Sequence, residues 1–154
     1  MVVTGGASVG ERDYAKAMFA PVGLDLRFAK VAIKPGKPVW LGQAQGKLVL
    51  GLPGNPTSAL VTARLLLVPL VAVLAGRDPA AALGWRAAPL ADGIPPCGDR
   101  ETFARGRWNG DAVEPLSNQD SGAQKALAAA DILIRRRPGA PAAAAGDTVE
   151  IIDF

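Results

Sequence analysis

Short apolar runs separated by glycine and proline set the pattern of this chain, and their spacing changes near residue 77. Before that point, strand-like and helix-like runs alternate, which is typical of an α/β fold. After it, helical spacing fades and short runs predict strands at residues 85–90, 101–108, 112–116, 132–135 and 148–152. We therefore predict an α/β domain with a mostly parallel sheet over residues 1–78 and a β-rich domain over residues 79–154.

The first half predicts its elements in a clear order: a strand at 1–3, a glycine-rich turn at 4–10, a helix at 13–19, a strand at 24–33 and a strand pair at 39–42 and 47–51. A strand that feeds a turn of this kind is normally central in a parallel sheet and needs neighbours on both sides. We therefore expect the chain to begin in the middle of a domain.

Residues 56–75 predict the longest helix, which ends at Gly76 and is apolar on nearly every face. A membrane span takes about 20 apolar residues without a charge or a proline in the middle. Arg64 and Pro69 interrupt this segment. The pattern therefore favours a buried helix packed on a sheet, with a kink or break at Pro69.

The composition of the chain limits the ligands it would bind and the kinds of catalysis it could perform. The chain of 154 residues is 49% hydrophobic and 20% charged, as expected for a folded protein. Its net charge of +3 suits small anionic ligands better than nucleic acid, because no basic stripe interleaved with aromatics is present. With no histidine and one cysteine, Cys97, the chain excludes Ser-His-Asp and Cys-His catalysis, His-ligated zinc and disulfides within itself. No secretion signal opens the sequence, so we expect a cytoplasmic protein without membrane association.

The turn before the long helix is the first candidate site. Asn55 precedes a proline and suits the N-cap, and Pro56 suits the first helical position. Unpaired amides in the first turn, the helix dipole and the Ser58 hydroxyl would together attract an oxyanion. An ordinary capped helix start explains the same residues.

Two further segments carry candidate residues. The turn at 4–10 lies between a strand and a helix, as phosphate-binding loops do, but it has neither the Rossmann nor the Walker spacing. Lys30 and Lys34 are four residues apart, so in an extended segment they would point to one face and meet one ligand. Two unrelated surface lysines are an equally good interpretation.

Three blocks in this order, at 4–14 (TGGASVGERDY), 30–38 (KVAIKPGKP) and 51–58 (GLPGNPTS), resemble the molybdopterin molybdenumtransferase family, which includes the enzymatic domain of gephyrin. The resemblance is strong over residues 2–76 and looser over residues 80–154. It implies the second half of a three-layer, molybdopterin-binding α/β domain, followed by a small C-terminal domain resembling a β-barrel.

The resemblance also implies a reaction. The family inserts molybdate into adenylylated molybdopterin and releases AMP, with a divalent ion, usually magnesium. It further implies a homodimer and a possible molybdopterin adenylyltransferase partner.

By the same resemblance, the candidate residues take roles. Asp13, Lys30 and Lys34 would be catalytic, Asp13 would also be the tentative metal ligand, and Arg105 and Ser121 would face molybdate. The cofactor-binding set would be Gly5, Gly6, Ser8, Gly10, Pro53, Gly54, Asn55, Pro56 and Ser58.

The sequence departs from the family in one respect, because the upstream Gly-Asp-Glu turn, its acidic residues and two further domains are absent. We therefore expect a C-terminal portion of the enzyme with little activity alone. A module that binds molybdopterin without chemistry stays open as an alternative. A related pterin-domain protein of the competence and nucleotide-salvage kind is disfavoured by the Pro-Gly-Asn-Pro turn and the β-rich second half.

Overall fold

A computed structural model describes residues 1–5 and 14–154 of the protein. Its helices are α1 (Ala15–Phe19), α2 (Pro56–Thr62), α3 (Val68–Leu74), α4 (Pro79–Leu83) and α5 (Gln124–Ala128), with a 3-10 turn at Ala20–Val22 and a π-helical turn at Ala63–Leu67. Its strands are β1 (Val2–Thr4), β2 (Asp25–Phe28), β3 (Ile33–Lys34), β4 (Trp40–Ala44), β5 (Lys47–Leu52), β6 (Arg86–Pro89), β7 (Glu101–Asn109), β8 (Ala112–Pro115), β9 (Ile132–Arg136) and β10 (Thr148–Asp153). The predicted strands of the second half are confirmed.

The first sheet has the order β1-β5-β4-β2. Within the described residues, only β1 and β5 pair in parallel, whereas β4 pairs antiparallel with both β5 and β2. The prediction of a mostly parallel sheet is therefore wrong for this part of the molecule. The reason is local: β4 and β5 are joined by a two-residue turn at Gln45 and Gly46, both with positive φ, and such a turn allows only an antiparallel pair.

The second sheet has the order β3-β7-β9-β10-β6, and β8 pairs with the far half of β7. All its pairings are antiparallel except that of β3 with β7. A single bridge between Leu90 and Val113 brings the β6 and β8 ends together, and no ladder closes the sheet. The barrel-like C-terminal domain expected from the resemblance is thus an open, curled sheet in the described residues.

The predicted strand over residues 24–33 is two strands in two different sheets. β2 ends at Phe28 and pairs with β4, whereas β3 begins at Ile33 and pairs in parallel with Glu101 and Thr102 of β7. The chain therefore crosses from one sheet to the other between these strands. Because Lys30 lies in this crossing, the even spacing from Lys30 to Lys34 does not put the two side chains on one face.

The helical segment Pro56–Leu74 packs against both sheets. Val61 joins Ile33, Phe103, Leu133 and Ile152 in a buried cluster between the helix and the second sheet. Leu66, Leu67 and Leu70 pack on a second buried cluster of Val39, Leu50 and Leu52 from the first sheet. The helix continues without a break from Pro56 to Leu74, and a wide π-helical turn at Ala63–Leu67 ends two residues before Pro69. The predicted irregularity near Pro69 is therefore a π-helical turn and not a break between two helices, as expected where a proline ring crowds the preceding turn and an amide is missing.

The expectation of a fully buried helix is only partly right. Leu60, Val71 and Leu74 are 49%, 47% and 67% exposed. On length and composition alone this segment would qualify to span a membrane, a test that core helices of soluble proteins also pass. Arg64, in its middle, donates to the backbone carbonyls of Asp153 and Leu83, at 2.7 and 2.6 Å, and thereby ties the helix to the C-terminal unit.

Gly36 provides a test of how the first half of the chain is fixed onto this helix. Its φ is +112°, and a Cβ added there would lie 2.3 Å from the Thr62 methyl carbon. We expect Gly36→Ala to lower the free energy of unfolding by about 1–3 kcal/mol, through backbone strain and overpacking together. Chemical denaturation would measure the change.

Gly46→Ala is the matched control, because Gly46 also has a positive φ, +75°, but an added Cβ meets no atom within 4 Å. It should carry only the backbone cost of about 1 kcal/mol. Equal losses in the two variants would contradict the close contact between Gly36 and Thr62.

Candidate functional site

The start of α2 is built as the sequence predicts. Asn55 has an extended backbone, its side-chain oxygen accepts the Ser58 amide at 3.1 Å, and Pro56 is the first helical residue. The expected N-cap is therefore confirmed. The cap occupies the Ser58 amide, and the Ala59 amide donates to the Asn55 carbonyl at 2.8 Å. Ser58 is the residue of this turn that lines a cavity.

Two glycine-bearing turns lie side by side at one end of the first sheet. The Gly5 amide donates to the Leu52 carbonyl at 3.1 Å, and a Cβ added to Gly54 would lie 3.2 Å from the Gly5 Cα. Only glycine allows the two backbones to approach this closely. The predicted site residues Gly6, Ser8, Gly10 and Asp13 lie outside the described residues.

A cavity of about 590 Å³ opens between the start of α2 and the second sheet. We call it the lysine–arginine cavity. Four cationic residues and one acidic residue line it, so its field is positive. The lining residues are Lys34, Pro35, Gly36, Lys37, Pro38, Ser58, Arg100, Thr102, Phe103, Arg105, Gln119, Asp120 and Ser121.

Four predicted site residues meet in this cavity, and they come from four distant segments. Lys34 is on β3, Ser58 on α2, Arg105 on β7 and Ser121 on the loop between β8 and α5. Lys30 is exposed and does not line the cavity. Pro53 is buried in the turn before α2, where Gly54, Asn55 and Pro56 follow it.

Arg105 is the most deeply buried cation of the site, with 1% of its surface exposed. Its guanidinium donates to the backbone carbonyls of Asp120, Asn118 and Ala123, at 2.9, 3.2 and 3.4 Å. Burial lowers the pKa of Arg105 below its ordinary value, and the nearby Asp120 carboxylate opposes that shift. An arginine remains charged at neutral pH, so a fixed positive charge lies in the wall of the cavity.

Gln119 completes the support of the loop that carries Ser121. Its side-chain oxygen accepts the Arg105 amide at 2.9 Å, and its side-chain nitrogen donates to the carbonyls of Arg105 and Leu116, at 2.8 and 2.7 Å. The loop is thus bonded to β7 through both the backbone and the side chain of Arg105. This arrangement fixes Ser121 relative to the guanidinium.

The sequence analysis missed the cavity residues Lys37, Arg100, Thr102, Gln119 and Asp120. Lys37 could have been predicted, because it belongs to the same Lys-Pro-Gly-Lys-Pro turn as Lys34. Thr102 follows from the pairing of β3 with β7, which places it opposite Lys34. No local sequence pattern predicts such a pairing between segments almost 70 residues apart.

The described residues do not supply a magnesium site. No group of three or more histidine, cysteine, aspartate or glutamate side chains comes together among residues 1–5 and 14–154. The one acidic residue of the lysine–arginine cavity, Asp120, uses its carboxylate to accept the Gly122 amide at 2.8 Å. We therefore derive no step that runs through magnesium.

Comparison with known families follows this division of the chain. A family model described as a probable molybdopterin binding domain matches residues 1–73, and one described as the MoeA C-terminal region (domain IV) matches residues 87–154. This chain belongs to the molybdopterin molybdenumtransferase family.

Relatives carrying the family name match nearly the whole chain. A molybdopterin molybdenumtransferase of Synechococcus elongatus is 35% identical over 98% of this chain, and one of Staphylococcus aureus is 30% identical over 99%. The solved structure of a molybdopterin biosynthesis MoeA protein from Pyrococcus horikoshii matches 99% of the chain at 31% identity with a TM-score of 0.80. The chain spans 37% of the two curated relatives and 36% of that structure.

Arg105 provides a test of how the lysine–arginine cavity is held together. We expect Arg105→Lys to retain the charge and lose most of the three carbonyl contacts, which would loosen the Ser121 loop. Hydrogen bonds to charged groups are worth about 1.5–3 kcal/mol each, so we expect a loss of a few kcal/mol in stability and faster amide exchange over residues 117–123. Hydrogen exchange with mass spectrometry would locate the change.

The control is Arg107→Lys on the same strand, whose guanidinium is exposed and pairs with Glu114. It should leave the exchange of residues 117–123 unchanged. Unchanged exchange in Arg105→Lys as well would show that the guanidinium does not hold the loop.

Proposed function

We propose that this chain binds molybdate in the lysine–arginine cavity and contributes that site to a molybdopterin molybdenumtransferase. The observation that carries the proposal is the meeting of Lys34, Ser58, Arg105 and Ser121 in one cavity. Membership of the family supports it, since the curated relatives are named for this transfer.

The chemistry of the cavity suits a small tetrahedral dianion. Molybdate needs cations to balance two charges and hydroxyl or amide donors for its four oxygens. Lys34 and Arg105 supply charge, and Ser58 and Ser121 supply hydroxyls. A charge held in a buried wall acts more strongly than one in water and is already oriented before the ligand arrives.

The paired glycine turns would receive the pterin end of adenylylated molybdopterin. Gly5 and Gly54 leave backbone exposed without side chains at the end of the first sheet, and α2 leads from Gly54 directly to Ser58 in the lysine–arginine cavity. A ligand lying along this path would present its dithiolene to molybdate. In this proposal, the two dithiolene thiols bind molybdenum and their protons leave with one molybdate oxygen as water, while a second water molecule hydrolyses the bond between the two phosphates of the adenylylated substrate and releases AMP.

The same proposal implies further components. Magnesium would assist the reaction, a second copy of the protein would complete a homodimer, and a molybdopterin adenylyltransferase would deliver the substrate in the cytoplasm. Lys30 keeps its proposed catalytic role only if the substrate reaches beyond the lysine–arginine cavity, and the proposed roles of Asp13, which lies outside the described residues, stay predictions.

Molybdate binding is the first test. A ligand that binds only the folded state raises its stability, so molybdate should raise the melting temperature of the chain. We expect Lys34→Gln to weaken the apparent affinity at least tenfold, because it removes one of the cations that face the dianion. The control Lys47→Gln, at the exposed start of β5, should bind like the unmodified protein. Loss in both variants, or in neither, would count against this site.

AMP release is the second test. Adenylylated molybdopterin and molybdate should give molybdate-dependent AMP when the chain is assayed at high concentration, and Lys34→Gln should reduce the rate more than tenfold. Molybdate binding without AMP release would favour the alternative of a module that binds molybdopterin without chemistry. The observation that favours this alternative is the absence of an acidic cluster in the described residues.

A further inference from the structure

A second cavity of about 490 Å³ lies beside the lysine–arginine cavity and shares Lys34, Arg100, Thr102 and Gln119 with it. We call it the Arg136 cavity. The segment between β6 and β7 forms one wall, and Arg136 on β9 contributes the buried cation. Ser58, Arg105 and Ser121 do not line it, so it is a separate compartment.

Arg136 is 93% buried, since 7% of its surface is exposed, yet its charge is not neutralised by a carboxylate of the described chain. One guanidinium nitrogen donates to the Pro141 carbonyl, whereas the buried Nε has no hydrogen-bond partner among residues 1–5 and 14–154. The two neighbouring arginines differ: Arg135 pairs with Glu101, and Arg137 pairs with Glu150. A buried cation without a counter-ion is costly, and an anion in the cavity would relieve that cost.

The other residues that line the Arg136 cavity are apolar, cationic or acidic. Ile94 and Ala104 are buried apolar residues of the cavity, and Pro95, Pro96 and Leu116 extend the apolar wall. Lys34 and Arg100 add two cations to Arg136. Two acidic residues, Asp92 and Asp99, also line the cavity; both are exposed, and Asp99 lies 3.9 Å from the Arg100 guanidinium, so Arg136 is the cation without a carboxylate partner.

We propose that the Arg136 cavity binds an aryl phosphate monoester, with the phosphate against Arg136, Lys34 and Arg100 and the flat ring against the Pro95–Pro96 wall. Three cations match a dianion better than a carboxylate, and a proline-lined wall offers rigid apolar surface to a ring. This inference shares Lys34 with the proposed function, but its buried cation, Arg136, does not line the proposed molybdate site.

Cys97 provides the readout, because it lines the Arg136 cavity and is the only cysteine of the chain. Its rate of alkylation by iodoacetamide, followed by mass spectrometry at pH 8, reports access to the cavity. We expect saturating phenyl phosphate to slow that rate at least fivefold. Phenol should not protect, and inorganic phosphate should protect only at much higher concentration, because each probe has only one of the two groups that the cavity recognises.

Variants assign the protection to Arg136. Arg136→Gln should abolish protection by phenyl phosphate, and Arg136→Lys should retain part of it. In Arg137→Gln, which removes a neighbouring charge from an exposed side chain, phenyl phosphate should protect Cys97 as well as it does in the unmodified protein. The same protection is expected in Ser121→Ala, because Ser121 lines the lysine–arginine cavity and not the Arg136 cavity.

Several outcomes would overturn the proposal. In the unmodified protein, they are no protection by phenyl phosphate at any concentration, or equal protection by phenol, and neither result depends on a variant folding. Among the variants, loss of protection in Ser121→Ala would place the ligand in the lysine–arginine cavity instead. Protection by phenyl phosphate in a protein that does not bind molybdate would overturn the proposed function alone, and molybdate binding without protection would overturn this inference alone.

Discussion

The candidate site depends on the pairing of a two-residue strand, Ile33–Lys34, with Glu101 and Thr102 of β7. This pairing takes the chain out of the first sheet and into the second. Ile33 then joins Val61, Phe103, Leu133 and Ile152 in the cluster under the long helix. The hydrophobic side chain fixes the strand, and the next residue, Lys34, is held on the opposite face, at the cavity.

Arg105 shows how the same fold holds a charge in a buried wall. Its guanidinium donates to three backbone carbonyls, which accept its hydrogen bonds without carrying a full negative charge, and the Asp120 carboxylate nearby offsets only part of the cost of burial. The field is therefore available to a ligand, and the loop with Ser121 is ordered by the same contacts. Arg136, in the neighbouring cavity, is also a buried cation that donates to a backbone carbonyl, and its Nε has no hydrogen-bond partner in the described chain.

Local chemistry made part of this structure predictable. The cap at Asn55 and the five strands of the second half follow from residue types and short spacings, because each depends on neighbours in sequence. The antiparallel pairing of the first sheet and the division of residues 24–33 between two sheets do not follow from such local patterns. They are decided by the tight turn at Gln45–Gly46 and by the docking of Ile33 in a distant core, which no short window contains. The resemblance named Lys34, Ser58, Arg105 and Ser121, but not the lysine, arginine and glutamine beside them.

The wall shared by the two cavities has a thermodynamic consequence. Lys34, Arg100, Thr102 and Gln119 face both compartments, so a dianion on one side uses positive field that the other side also needs. Two such occupants repel across the partition. By linkage, the factor by which either one weakens the other is the same in both directions, and it falls as salt screens the intervening charges. Anions bound as proposed in the two cavities would thus be coupled negatively without any moving part.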